Sequence, residues 1–293
     1  MGREVTLAAA QFACGWELEA NLDAAERAMR EAAGRGAQIV VLPELFETPY
    51  FCITQDTGHF ALARPFEGHP TIARFSRLAA ELRVVVPVSF FERAGQAFFN
   101  SVAVVDADGA VLGLYRKSHI PQSGGYEEKY YFSPGDTGFR VWETSYARLG
   151  VGICWDQWFP ESARCMALLG AEVLAYPTAI GSDPPVPGED SRDSWRIVQR
   201  GHAAANAMPL VAANRVGFET ARSDGGPSIT FYGSSFIAGP TGGLLAEACR
   251  ERDEVVSATV DLDEVRHYRE DWTFFRDRRP ELYRPLVTLD GEQ

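Results

Sequence analysis

Gly36-Ala37-Gln38-Ile39-Val40-Val41-Leu42-Pro43-Glu44 decides the fold, because it returns as Gly170-Ala171-Glu172-Val173-Leu174-Ala175-Tyr176-Pro177-Thr178. Each copy runs from a glycine, through a short apolar stretch without polar alternation, to a proline. A continuous apolar run of this length reads as a strand buried on both faces, and each follows a segment with helical spacing. Around the first copy, Val5 to Phe12 reads as a strand, Asn21 to Gly34 as an amphipathic helix, Thr71 to Leu82 as a second helix and Val84 to Phe90 as the next strand. Ser101 to Asp106 and Ala110 to Arg116 then flank Asp108-Gly109, a dipeptide suited to a tight hairpin turn. Around the second copy the plan recurs. Ser194 to Asn206 is helical, Pro209 to Ala213 a strand, and Ser235 to Ala238 with Leu244 to Ala248 a hairpin across Gly239 to Gly243. Two similar α–β halves packed sheet to sheet predict an α/β fold in four layers, an αββα sandwich with an internal pseudo-two-fold repeat.

At 293 residues and 46% hydrophobic content, with no low-complexity linker, the chain is expected to be one domain over 1–293. The charged, aromatic segment 261–293 is read as a C-terminal tail packing at a subunit interface of a homo-oligomer. A formal charge of −12 disfavours nucleic acid and anionic membranes as partners. No stretch approaches the length of a membrane span and Met1 leads directly into a strand pattern, so a cytoplasmic location is expected. Five cysteines at irregular spacing indicate neither a disulfide framework nor a zinc cluster, and five scattered histidines add no metal-binding pattern.

Leu149-Gly150-Val151-Gly152-Ile153 is a third apolar run, and it stops at Cys154 before the polar, aromatic turn Trp155-Asp156-Gln157-Trp158-Phe159-Pro160-Glu161. A thiol at a strand end is placed for chemistry. Gly150 and Gly152 would let backbone pack closely beneath it, and a helix from Pro160 would favour a thiolate nearby. A cysteine nucleophile needs a proton acceptor and an anion stabiliser. Glu44 emerges at the end of its own buried strand, where partial desolvation suits a general base, and Lys117 ends the hairpin strand Leu112 to Arg116 with an ammonium to offer an oxyanion. Each has a bland reading. An isolated cysteine after an apolar run is usually a core residue, an isolated glutamate can cap a turn, and most lysines are solvated. Cys14, Cys52, Cys165 and Cys249 lack such company and are read as packing or surface residues.

Taken together, Leu42-Pro43-Glu44-Leu45-Phe46, Tyr115-Arg116-Lys117-Ser118-His119-Ile120-Pro121 and Gly152-Ile153-Cys154-Trp155-Asp156 resemble the nitrilase superfamily of carbon–nitrogen hydrolases. The separations, 73 residues from 44 to 117 and 37 from 117 to 154, are similar to the family's, and the resemblance spans nearly the whole chain. It implies an αββα sandwich and a Glu-Lys-Cys triad with Glu44 as base, Lys117 as intermediate stabiliser and Cys154 as nucleophile. A second glutamate in the loop after the lysine matches Glu128, with Glu127 as the fallback. Closer likeness, in Gly125 to Phe139, Gly152 to Glu161 and Tyr176 to Ser182, is to the branch that hydrolyses N-carbamoylputrescine to putrescine, ammonia and carbon dioxide.

That likeness implies a small, cationic ureide or amide as substrate and no cofactor. It places Trp155, Asp183, Tyr50, Thr178 and Ala179 at the substrate, with the Trp155 N–H as a second oxyanion donor. Asp183 stands where relatives have an acidic residue, usually glutamate, and an acid there could pair with a distal ammonium. The alternatives are a hydrolase of N-carbamoyl amino acids, β-ureidopropionate or ω-amides, for which Arg192 or Arg215 would hold a carboxylate, and a catalytically silent amine-binding protein. His119 and His202 permit a rival Cys-His mechanism. The pair Trp155 and Trp158 can form either a wall for an aliphatic chain or a piece of core.

Overall fold

The computed structural model describes residues 2–182, 190–222 and 224–292. The first half runs β1 (Glu4–Gln11), α1 (Leu18–Gly34), β2 (Ile39–Val41), α2 (Pro70–Leu82), β3 (Val86–Ala94), β4 (Ala97–Val105) and β5 (Val111–Arg116). The second runs α3 (Glu128–Tyr131), β6 (Val141–Glu143), β7 (Arg148–Val151), α4 (Pro160–Leu168), β8 (Val173–Pro177), α5 (Arg192–Asn206), β9 (Leu210–Ala213), β10 (Val216–Arg222), β11 (Gly225–Tyr232), β12 (Phe236–Ala238) and β13 (Leu244–Glu247). The strand β14 (Glu254–Asp261) and the helix α6 (Leu262–Trp272) follow.

Strands β14-β1-β2 and β3-β4-β5 join through a parallel bridge at Ile39 and Val85, where the Val40 N–H donates to the Val85 carbonyl at 2.9 Å. The result is one sheet ordered β14-β1-β2-β3-β4-β5. The second sheet is ordered β6-β7-β8-β9-β12-β13. Both read antiparallel, parallel, parallel, antiparallel, antiparallel from one edge to the other, which superimposes β2 on β8 as the repeated sequence requires.

Side chains alternate between layers because successive strand residues point to opposite faces. Leu7, Ala9, Ile39 and Val41 meet Leu149, Val151, Val173 and Ala175 between the sheets. Ala8, Ala10 and Val40 face outward onto Met29 of α1 and Phe75 of α2, while Leu174 and Tyr176 face Met166 of α4 and Trp195 of α5. Burial on both faces is why these strands lack polar alternation. The fold is the αββα sandwich.

The structure departs from expectation in three places. The loop expected after Lys117 carries the short helix α3. The hairpin β10–β11, not anticipated, lies outside both sheets and brings Ala221, Ile229 and Phe231 into a separate cluster with Tyr50 and Phe51. Its two strands contain Gly217, Gly225, Gly226 and Pro227, which mask a strand pattern. The third departure lies at Cys154 and is described with the site. Beyond β14, the Asp261 carboxylate caps α6 by accepting from the Asp263 N–H at 2.9 Å, and Leu262 and Val265 are buried.

Candidate active site

Three strand ends converge. Glu44 lies just past β2, Lys117 directly follows β5, and Cys154 lies just past β7. The Lys117 side chain is completely buried, and its Nζ donates to Glu44 Oε1 at 2.8 Å and to Glu128 Oε1 and Oε2 at 2.9 and 2.7 Å. Asn100 Nδ2 donates to the same Glu44 oxygen at 2.6 Å, and the Tyr50 hydroxyl donates to Glu128 Oε1 at 2.7 Å. Glu44 Oε2 is buried and has no hydrogen-bond partner among the described residues. One carboxylate oxygen is held rigidly while the other keeps its lone pairs available.

Burial works against the charge on Lys117, but Glu128 and Glu44 outweigh it and hold the ammonium's pKa well above the ordinary lysine range. Burial pushes the Glu128 carboxyl up to about 7, against the pull of Lys117. For Cys154, burial and then the Glu44 charge drive the thiol well above its usual range, with Lys117 opposing. The resting group is therefore a neutral thiol, and its Sγ–H points to the Ala179 carbonyl at 3.7 Å. This reverses the expected stabilisation of a thiolate by a following helix. A 3-10 turn, Cys154–Trp158, separates the thiol from α4, which starts at Pro160 and whose first N–H is that of Glu161, and a dipole acts only close to its end.

The local chain explains the placement. Cys154 sits in the left-handed region at φ +41°, a conformation that costs a non-glycine residue about 1–2 kcal/mol and must be imposed by surroundings. Asp156 imposes much of it. Its carboxylate accepts from the Ile153 N–H at 2.9 Å, from the Tyr115 hydroxyl at 2.7 Å and from the His119 N–H at 3.0 Å, tying the cysteine turn to the lysine segment. Gly152 is required beneath: a Cβ there would lie 2.6 Å from the Tyr176 ring. Gly135 is required behind Lys117, where a Cβ would come within 2.1 Å of the Arg116 carbonyl oxygen.

Cys154 opens into a cavity of about 280 Å³ lined by Pro121, Ser123, Tyr126, Glu128, Trp155, Trp158, Ala179, Ile180, Gly181 and Ser191. Trp155 and Ala179 line the cavity, with Trp155 37% exposed. Tyr50 stands behind Glu128. Thr178 does not line the cavity, and its hydroxyl donates to Gln157 Oε1 at 3.1 Å and to the Tyr176 carbonyl at 3.0 Å. Asp183 lies outside the described residues. His119 Nδ1 is 2.7 Å from Asp156, and its ring stacks on Phe159 at 3.7 Å, so it serves as a strut between two segments. Arg215 pairs with Glu219 at 2.9 Å and Arg192 with Glu247 at 2.6 Å.

Asn100 and Glu219 escaped the sequence reading, Asp156 entered it only as part of a motif, and Arg215 only as a candidate holder of a substrate carboxylate. Asn100 and Arg215 had a visible signal, a polar residue inside an otherwise apolar run. Among the described residues no three His, Cys, Asp or Glu side chains are grouped to hold a metal ion, and no helix is long and apolar enough to cross a membrane.

A thiol beside a buried carboxylate with a free oxygen, next to a fixed ammonium, can be deprotonated as it attacks a carbonyl, and the ammonium can meet the oxyanion. The carbon-nitrogen hydrolase family model matches residues 6–270. The chain is 57% identical over 290 residues to an N-carbamoylputrescine amidase of Arabidopsis thaliana, covering 99% of this chain and 97% of that one. It is 52% identical over 267 residues to a citrullinase of Francisella tularensis subsp. tularensis, covering 91% and 92%. A solved carbon-nitrogen hydrolase from Helicobacter pylori superimposes with a TM-score of 0.91 at 40% identity, covering 98% of this chain and 99% of that one. Motifs, layered fold and comparisons converge on one assignment: the chain belongs to the carbon-nitrogen hydrolase family.

Proposed function

We propose that this hydrolase cleaves the ureido C–N bond of N-carbamoylputrescine, releasing putrescine, ammonia and carbon dioxide in polyamine synthesis. The carrying observation is the convergence of three buried groups: Glu44, whose Oε2 has no hydrogen-bond partner among the described residues, Lys117, which fixes its other oxygen, and the Cys154 thiol, which feels the Glu44 charge. Near-full-length identity to plant N-carbamoylputrescine amidases supports the choice of ureide.

In this reading Glu44 takes the Cys154 proton as sulfur attacks the carbonyl carbon, and Lys117 with the Trp155 N–H holds the oxyanion. The first bond of the Cys154–Trp158 turn is donated by the Asp156 N–H to the Ile153 carbonyl at 3.0 Å, so the Trp155 N–H, one position earlier, precedes the turn's own hydrogen bonds. Glu44 returns the proton to departing ammonia, leaving a carbamoyl thioester. Water deprotonated by Glu44 then attacks the thioester carbon and the C–S bond breaks, Glu44 returns that proton to the Cys154 sulfur, and the carbamate takes up a proton from solvent as it loses carbon dioxide to release putrescine. Glu128 holds Lys117 from its far side. Asp183 would pair with the distal ammonium, and Trp155 and Ala179 would flank the chain.

The second reading is a ureide ending in an amino-acid head, favoured by the citrullinase relative. Ammonia release is measured from N-carbamoylputrescine, citrulline and N-carbamoyl-β-alanine with wild type and Cys154→Ala. Preference for the cationic ureide, lost in Cys154→Ala, is expected. Preference for an amino-acid ureide would replace the substrate and keep the triad, and activity surviving Cys154→Ala would end the nucleophile assignment.

The proposal extends to assembly and place. The chain acts as one domain in the cytoplasm, where its five free cysteines stay reduced. Its tail packs on a second copy, which would cover Leu286, Val287 and Leu289, exposed at 63%, 81% and 111%. Leu286→Lys with Leu289→Lys should lower the mass measured by light scattering, whereas an unchanged mass would remove the tail from the interface.

A further inference from the structure

Glu44 is held by its side-chain partners and also by its backbone, and the backbone grip comes from the unanticipated hairpin. Arg215, directly before β10, is completely buried. Its guanidinium donates to the Glu44 carbonyl from Nη2 at 2.9 Å and from Nε at 3.2 Å, to the Leu45 carbonyl at 2.5 Å and to the Thr48 carbonyl at 2.9 Å. Leu45 occupies the left-handed region at φ +50°, so the turn it makes needs outside support. Glu219 of β10 neutralises Arg215 with contacts of 2.9 and 3.1 Å from Nη1, and its Oε2 also accepts from the Tyr50 N–H at 2.6 Å. The same pair therefore grips both ends of a turn that carries Glu44 at one end and Tyr50, the donor to Glu128, at the other.

A charged pair sealed this far from solvent is weak as a stabiliser, since desolvation offsets much of its attraction, and its five-donor fork is matched to three carbonyls of one turn. From that match we infer that Arg215 and Glu219 are positioning residues for the reaction, holding the 44–50 turn so that Glu44 Oε2 meets the Cys154 thiol and Tyr50 meets Glu128. They touch neither the cavity nor the reacting atoms and act through the backbone. The inference rests on Glu44 being the general base.

The test compares Arg215→Lys, Glu219→Gln and Glu44→Gln with wild type. The readouts are kcat, KM, near-ultraviolet circular dichroism and the pH dependence of Cys154 alkylation by iodoacetamide, a neutral probe needing no substrate binding. Lysine keeps the charge but presents no planar fork, and glutamine keeps an acceptor for Tyr50 while losing the charge. For folded Arg215→Lys, kcat should fall about 100-fold with KM nearly unchanged, because misplacing a catalytic group by about 1 Å has that effect. Alkylation near neutral pH should slow in parallel, and Glu219→Gln should move both readouts in the same direction by less.

A folded Arg215→Lys with wild-type kcat overturns the inference, as does a fall in kcat with unaltered alkylation. If Arg215→Lys does not fold, Glu219→Gln decides, and wild-type kcat and alkylation there overturn it. Glu44→Gln separates the two levels: an active Glu44→Gln removes the base assignment itself, whereas an inactive Glu44→Gln beside a fully active Arg215→Lys removes only the positioning role.

Discussion

Lys117→Met isolates what the buried ammonium does, because it leaves Glu44 and Glu128 facing each other with no cation between them. Removing one member of a buried ion pair commonly destabilises by about 3–5 kcal/mol, since the charge left behind is neither solvated nor matched. Here the cost should depend on pH. In the wild type, burial lifts Glu128 to about 7, so the native state carries an extra proton relative to the unfolded chain up to that point. Stability from such a raised carboxyl is present at low pH and declines as pH rises through the folded pKa, then levels off. Without Lys117, which lowers the Glu128 pKa, and with the Glu44 charge still raising it, Glu128 should retain its proton to higher pH. Wild type and variant should therefore lose stability in parallel below pH 7 and diverge above it by about 1.4 kcal/mol per pH unit, or about 3 kcal/mol by pH 9. Urea unfolding of both proteins at pH 6, 7, 8 and 9 reads this directly, and other titrating groups cancel in the difference. Parallel curves from pH 7 to 9 would refute the reasoning and mean that Lys117 does not hold Glu128 ionised above pH 7.

Further outcomes follow from single contacts. Burial raises the Glu47 carboxyl from its ordinary 4.5 to about 7, despite the Thr71 hydroxyl that donates to it. Its contribution to stability is present below pH 4.5 and lost as pH rises through 7, so Glu47→Gln should gain up to about 3 kcal/mol on wild type between pH 4.5 and 8 in the same unfolding assay; an unchanged difference would count against this titration. Gly152→Ala would drive a Cβ to 2.6 Å from the buried Tyr176 ring. It should cost about 1–3 kcal/mol in thermal unfolding and lower kcat, because the displaced strand end carries Cys154. Tyr50→Phe removes a donor that lowers the Glu128 pKa, so it should destabilise by about 1.5–3 kcal/mol and move the acid limb of the kcat–pH profile upward; an unmoved limb would detach Glu128 from catalysis.

Much of the fold was legible because it is written in local patterns. The repeated runs at Gly36 and Gly170 record strands buried on both faces, and that burial is a property of composition. The order of Glu44, Lys117 and Cys154 at three strand ends was legible for the same reason, since each motif is carried by a strand and its exit. Gly150 and Gly152 likewise marked a close approach beneath Cys154, which the Leu174 and Tyr176 side chains make.

What the sequence could not disclose is long-range and electrostatic. Cys154 followed by a turn and a proline suggested a stabilised thiolate, yet the thiol's protonation is decided by burial and by Glu44, 110 residues earlier in the chain. Thr178 looked available for substrate until tertiary packing turned its hydroxyl toward Gln157 and the Tyr176 carbonyl. Arg215 and Glu219 are neighbours in sequence, but the Glu44, Leu45 and Thr48 carbonyls they serve lie about 170 positions away, on the other half of the repeat. Composition and periodicity determined which strands are buried and which residues stand at their ends. Only the folded chain decided which charges those residues feel, because desolvation and Coulomb interaction depend on distance through space and leave no mark in the order of residues.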